Sequence, residues 1–127
     1  MNELRITIPD RLPSLNEYQA ACRSNKFIGA KMKQAAQMQC EVAMLRARRS
    51  KVHFDKVDID ITWIEKNKRR DKDNISFGRK FIFDALQSMG ILDNDGWGQI
   101  GDITERFAVD KKEPRIEILL KDGAGND

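Results

Sequence analysis

Leu4, Ile6 and Ile8 alternate with polar residues and the run stops at Pro9, a period of two that predicts a short first strand. The alternation returns at Val57, Ile59, Ile61 and Trp63, interleaved with Asp58, Asp60 and Thr62, and predicts a second strand with one wet face. Residues 10–29 between them show no period and hold Pro13, Ser14, Asn16 and Asn25. They read as a long loop, and loops of that length in a compact domain are commonly functional. From Ala30 to about Arg49 the chain is free of Gly and Pro, with Met32, Ala35, Ala36, Cys40, Ala43 and Met44 as a helical apolar stripe and a basic last turn. A second helix is predicted from about Asn74 to Met89, with Ile75, Ile82, Ala85, Leu86 and Met89 on one face. Asp73 or Asn74 is its expected N-cap and Gly90 its C-terminal cap. Two more strands follow, roughly Gln99–Val109 and Arg115–Lys121, with Asp110–Pro114 expected as a hairpin loop between them. The order β-α-β-α-β-β predicts an α/β fold: one domain over residues 1–121, with a mixed four-stranded sheet and two helices. A flexible tail is expected at 122–127.

At 127 residues the chain has room for one core, and 40% hydrophobic with 34% charged residues of both signs excludes disorder. A net charge of +3 says little about partners; its distribution says more. Segment 66–72 carries five basic residues against one acid, and Arg46, Arg48, Arg49 and Lys51 form a second cluster. Two basic patches on a nearly neutral protein form a footprint for phosphate. Cys22 and Cys40 lack metal-ligand spacing and read as reduced thiols. No apolar run approaches the ~18 residues of a membrane span, and no signal peptide opens the chain, so a cytoplasmic protein without membrane contact is expected.

Asp71 and Asp73 sit directly behind the densest part of the basic run, with Lys72 between them. In extended backbone, residues i and i+2 point to one side about 6.5–7 Å apart, so both carboxylates are candidates for one hard cation such as Mg²⁺. Solvated carboxylates paired with neighbouring Arg and Lys are the plainer reading of Asp-x-Asp taken alone. Lys80, about two helical turns beyond Asp73, is a candidate for offsetting charge on a scissile phosphate; an i,i+4 pair with Asp84 is the alternative, in the weaker orientation. Asp93-Asn94-Asp95-Gly96 is a turn by its own chemistry, and it is also a candidate to complete the Asp71/Asp73 site. A Ca²⁺ loop fits it poorly, with Ile91 at the first ligand position and Asp102 at the last. His53 has no nucleophile motif beside it, isolated Gly78 suggests close backbone approach, Trp63 reads as core, and Trp97 as packed or stacked on a base.

The runs Arg70-Asp71-Lys72-Asp73-Asn74-Ile75, Lys80-Phe81-Ile82-Phe83-Asp84-Ala85-Leu86 and Gly90-Ile91-Leu92-Asp93-Asn94-Asp95 together resemble the core of RusA-type Holliday junction resolvases. Leu12-Pro13-Ser14-Leu15-Asn16-Glu17-Tyr18 and the closing Val109-Asp110-Lys111-Lys112 and Pro114-Arg115-Ile116-Glu117 resemble the ends of that family's pattern. The stretch before Phe83 is longer than in the founding member and is similar to the phage and prophage branch. The resemblance implies a small homodimeric endonuclease that makes paired nicks in four-way DNA junctions with Mg²⁺, Mn²⁺ being a substitute. It implies Asp71, Asp73 and Asp95 as catalytic metal ligands, with Asp93 an alternative to Asp95, and Lys80 as the helix lysine. Lys66, Lys68, Arg69 and Arg70 are then expected on flanking phosphates, with Arg23, Lys26, Arg46, Arg48 and Arg49 as secondary DNA contacts. Phe77, Phe81 and Phe83 widen the apolar surface of the second helix beyond one face, which places part of the dimer interface there. The competing expectation is a nucleic-acid-binding module without catalysis.

Overall fold

The computed structural model describes residues 2–48 and 50–123. Its elements are β1 (Glu3–Pro9), α1 (Leu15–Ser24), α2 (Lys26–Ala47), β2 (Val57–Glu65), α3 (Lys72–Ser76), α4 (Arg79–Ser88), β3 (Ile100–Val109) and β4 (Arg115–Asp122). The four strands form one mixed sheet in the order β1-β4-β2-β3, with β2 and β3 parallel and the other two pairings antiparallel. Alternate residues Leu4, Ile6 and Ile8, then Ile59, Ile61 and Trp63, then Ile116, Ile118 and Leu120 bury one face of the sheet against α2 and α4. The single α/β domain and mixed four-stranded sheet agree with the sequence pattern. The resolvase likeness is a separate matter.

Four expectations about the elements are corrected. The stretch 10–29 is not a loop: Ser14 accepts a hydrogen bond from the Glu17 N–H while the Glu17 carboxylate accepts one from the Ser14 N–H, and this capping box starts α1. Asn25 then ends α1 and caps α2, its side chain accepting from the Phe27 N–H at 2.7 Å. The second helical stretch is divided into α3 and α4 at Phe77 and Gly78, where the Gly78 N–H reaches the Ile75 carbonyl and the Lys80 N–H that of Phe77 in a tighter turn; Gly78 also lies against the indole of Trp63, where a Cβ would sit 3.1 Å from the ring. The N-cap of α3 is Asp71, not Asp73 or Asn74. Asp110–Pro114 is no hairpin turn, since β2 lies between β3 and β4 in the sheet.

The apolar faces of the second helical stretch are occupied within the chain. Phe81, Ile82, Ala85 and Leu86 are buried in the core, and Phe77 and Phe83 are partly buried against it, so the apolar width of this stretch is largely accounted for within the chain. Gly90, at φ +71°, closes α4 in a Schellman motif: Ile91 N–H reaches the Leu86 carbonyl and Gly90 N–H that of Gln87. Of the expected tail, Asp122 belongs to β4, and residues 124–127 lie outside the described residues, as does Arg49. No helix among the described residues is long and apolar enough to cross a membrane.

The strand directions give the sheet two chemically different ends. β2 and β3 run the same way and finish together at Glu65 and Val109, with Asp71 just beyond. Gln39, midway along α2, donates to the carbonyls of Pro9 and Arg11 at that same end, so the earlier turns of α2 and the packed α1 project past the sheet as a helical hairpin. The opposite end holds the start of β2 and β3 and the turn at 93–99, fastened where Val57 N–H meets the Gln99 carbonyl.

Candidate active site

The segment after β2 is built around Glu65, a carboxylate only 5% exposed that sits in phase with Ile61 and Trp63 at the end of the strand. Arg70 turns back onto it with two parallel hydrogen bonds, Nε to Oε1 at 2.9 Å and Nη2 to Oε2 at 2.8 Å. The remaining Arg70 nitrogen, Nη1, reaches the Leu12 carbonyl at 2.9 Å and the Glu17 carboxylate at 3.0 Å. Arg11 adds a second cation 3.6 Å from Glu65. Burial opposes the charge on Arg70, but Glu65 and Glu17 outweigh it and hold the guanidinium above its ordinary pKa. Burial likewise pushes Glu17 up, and the hydrogen bonds from Ser14 and Arg70 outweigh it and keep that carboxyl below its usual value. Arg70, expected on a DNA phosphate, is therefore a clamp joining β2, α1 and the loop before α1, with every guanidinium nitrogen engaged inside the fold.

The clamp fixes the next residue. Asp71 keeps extended backbone (φ −69°, ψ 153°) and starts α3 without a side-chain cap bond, so its carboxylate is exposed and unengaged among the described residues. Lys72 is already helical, and Asp73 occupies the second helical position with Oδ1 accepting from the Asn74 N–H at 3.0 Å. The strand spacing expected for Asp71 and Asp73 is thus corrected: the helix begins between them. The backbone N–H of Asn16 reaches Asn74 Oδ1 at 3.3 Å and ties α1 to α3.

Asp71 lines a cavity of about 640 Å³ with Glu65, Asn67, Lys68, Arg70 and Lys72 on its polar side and Ile75, Phe107, Ala108 and Val109 on its apolar side. Lys72 stands over the Phe107 ring, 5.5 Å from its centre. Lys66, Lys68 and Arg69 are exposed around it, and the Asn67 side chain orders this bend by accepting from the Arg69 N–H. Arg23 and Lys26 lie at the tip of the helical hairpin beyond the same end. Lys80, near the start of α4, takes the i,i+4 pair with Asp84 at 3.9 Å and does not line the cavity.

The acidic turn is elsewhere. β2 separates it from Asp71 by nine residues of strand, roughly 26 Å at ~3.3 Å per residue. Asp93 accepts from His53 at 3.2 Å, whereas the exposed Asp95 carboxylate has no side-chain partner among the described residues. Arg48 donates to the Met89 carbonyl at this end, with Arg46 and Lys51 exposed nearby in sequence. Among the described residues, no three His, Cys, Asp or Glu side chains come together to hold a metal ion. Asp71 and Asp73 remain as two hard oxygen donors at the head of one helix, which suits Mg²⁺, since that ion takes one or two carboxylates and leaves its other positions to water and substrate phosphate.

Glu65, Glu17 and Arg11 were not singled out from sequence. Glu65 did leave a signal, a charged residue in the apolar phase of β2, and Ser14-x-x-Glu17 was a legible capping box. No family model and no curated protein matches this chain.

Proposed function

We propose that this chain is a divalent-metal-dependent endonuclease acting on branched DNA, a RusA-type resolvase that hydrolyses phosphodiesters at four-way junctions. The observation that carries the proposal is the unengaged Asp71 carboxylate, set at the head of a helix beside Asp73 and walled by Lys68 and Lys72. A carboxylate with no partner of its own, among cations, suits a cation shared with a phosphate. Mg²⁺ bound at Asp71 and Asp73 would supply Lewis-acid polarisation of the phosphate and a more acidic water. Arg70, locked on Glu65, holds Asp71 in extended backbone so that its oxygens face outward. Lys80 lies outside the cavity, paired with Asp84 at 3.9 Å, and would have to leave that contact to offset charge on the phosphate. Lys66, Lys68 and Arg69 position flanking phosphates without reading bases. Two-fold symmetry of a homodimer matches a substrate with two strands to cut.

A binding module without catalysis is the second reading, favoured by the lack of a third ligand beside Asp71 among the described residues. Cleavage of a four-way junction and of its linear arms, in Mg²⁺ and in chelator, separates the two. The expected result is Mg²⁺-dependent nicking of the junction alone, abolished by Asp71→Asn and by Asp73→Asn while junction binding persists or tightens. Lys80→Ala should slow single-turnover cleavage on the order of 10²–10³-fold. Equal binding in chelator with no nicking in Mg²⁺ would leave the binding module.

A further inference from the structure

From Tyr18 to Cys40 the chain carries Arg23, Lys26, Lys31 and Lys33 and no acid, although Asp and Glu supply 20 of its 127 residues. None of these four cations makes an ion pair among the described residues. The acids that bracket the stretch are engaged elsewhere, Glu17 by Ser14 and Arg70, and Glu41 by Gln37 and Ser88. A patch of one sign that nothing inside the chain neutralises is suited to phosphate.

The apex of the helical hairpin, between α1 and α2, adds a second observation among these cations. Phe27 is 68% exposed there and Ile28 47%. The apex that carries them is ordered. Asn25 Oδ1 accepts from the Phe27 N–H, and the Asn25 carbonyl accepts from the Ile28 and Gly29 N–H groups. Gly29 lets the two helices meet closely, since a Cβ there would sit 2.6 Å from Cys22 Sγ and 3.2 Å from Cys22 Cα. Lys26 Nζ stands over the Phe27 ring, 5.4 Å from its centre. A phenyl ring kept in water by an ordered apex is suited to burial against a flat partner outside the chain. Nucleobases are such partners, whatever their sequence, because each has a π-face.

The hairpin projects at the same end of the sheet as Asp71, and its foot is tied to α3 where the Asn16 N–H reaches Asn74 Oδ1. From that tie α1 climbs to Asn25, roughly 14 Å at ~1.5 Å per residue. A DNA strand covers the same length in about four nucleotides, at ~3.4 Å each. In a duplex arm every base is stacked on both faces and closed to the ring. At a branch point a base face can open. Phe27 and Ile28 alone are a small apolar area for a lipid surface, whereas ring and cations together match an unstacked base on a charged strand.

We infer that the apex of the α1–α2 hairpin is a binding site for an unstacked nucleobase at a DNA branch. Phe27 stacks on the base with Ile28 beside it, and Arg23, Lys26 and Lys31 hold phosphates of the strand that carries it. The cations alone would hold any DNA; the ring is what separates a junction from its arms. The inference rests on the branched-DNA reading proposed above for its substrate, and it needs no cleavage.

Binding in chelator, where no strand is cut, tests it with the full chain, a synthetic four-way junction and a linear duplex of the same arm sequence. Phe27→Ala should weaken junction binding at least about fivefold and duplex binding less than about twofold. Phe27→Trp should keep the wild-type preference. Because Phe27 is exposed, both variants should keep the wild-type urea midpoint. Leu45→Ala, which removes a comparably exposed side chain near the other end of α2, should leave both affinities unchanged. Arg23→Ala should weaken both DNAs alike. A junction with iodouracil at the branch should cross-link to wild type under light, and the cross-link should vanish in Phe27→Ala. Equal losses on junction and duplex, no loss on either, or a cross-link that persists in Phe27→Ala would overturn the base site. So would a chain that binds no DNA, including one whose apex is shielded by vesicles of phosphatidylcholine and phosphatidylserine, which marks a membrane contact instead. Junction nicking in Mg²⁺ by wild type and Phe27→Ala, with equal affinities, would sink the base site and leave the nuclease. A Phe27-dependent junction preference without nicking in Mg²⁺ would sink the nuclease and leave the base site standing.

Discussion

Arg70 and Arg69 are neighbours with opposite tasks. Arg70 neutralises the buried Glu65 in a two-bond clamp and reaches Glu17 and Leu12 as well, whereas the exposed Arg69 side chain has no partner among the described residues. Removing one member of a buried pair strands the other charge, at about 3–5 kcal/mol; Arg11 at 3.6 Å offsets part of that, so Arg70→Ala should lose at the lower end of the range. Arg69→Ala should stay within about 0.5 kcal/mol of wild type, as surface substitutions do. Urea unfolding of the two variants checks both. Glu17 adds a pH signature. Its carboxyl is held below the usual value of 4.5, so its contribution to stability is complete above that value and is lost as pH falls through the lower folded pKa. Glu17→Gln should be less stable at neutral pH and lose less on acidification. Cys40, whose thiol is pushed up to about 12 by burial and then by the charge of Glu41, should be silent to thiol reagents in the native state, leaving exposed Cys22 as the single fast-reacting group.

At the scale of elements, the start of α3 aims the site by placing Asp71 at its head, and the helical stretch is divided again before α4. Gly78 lies at that break. Gly78→Ala gains about 1 kcal/mol of helix propensity, but its methyl meets a Trp63 ring that is buried and tied to Glu105 by a 2.8 Å hydrogen bond. Overpacking of about 1–3 kcal/mol should win, so the urea midpoint should fall with an unchanged slope. Gly90→Ala, at φ +71°, should cost about 1–2 kcal/mol for left-handed backbone alone. These cases mark how far the sequence could be read. Strands of period two, the stripe of α2 and the Gly90 cap were legible because each is a local pattern. The helix α1 was obscured by the turn-formers Pro13, Ser14, Asn16 and Asn25 in and around it, despite the capping box. The sheet order was not legible, because nothing local makes β4, rather than β3, the strand inserted beside β1. The Asp-x-Asp spacing was misjudged for the same reason: where α3 begins depends on Arg70 finding Glu65, a contact that no spacing rule contains.

Across the whole molecule, cations gather at both ends of the sheet. Lys68 and Lys72 line the cavity, Lys66 and Arg69 are exposed beside them in the chain, and Arg23 and Lys26 stand on the helical hairpin at that end, while Arg46, Arg48 and Lys51 belong to the end that carries the acidic turn. A solitary chain would present these as two separate patches. A junction arm that follows the sheet from one end to the other would touch both. Junction affinity should then fall steeply with salt, log K losing about 0.9 per neutralised phosphate for every tenfold rise in salt. Lys68→Ala and Arg69→Ala should each flatten that slope by about one phosphate on any sequence, and Arg46→Ala, on the second patch, should do the same. Titrations of the three variants at several salt concentrations, with junctions of differing sequence, decide the matter. A slope unchanged by Arg46→Ala would confine DNA to the Asp71 end of each copy, and a loss limited to one junction sequence would make the altered residue a reader of bases.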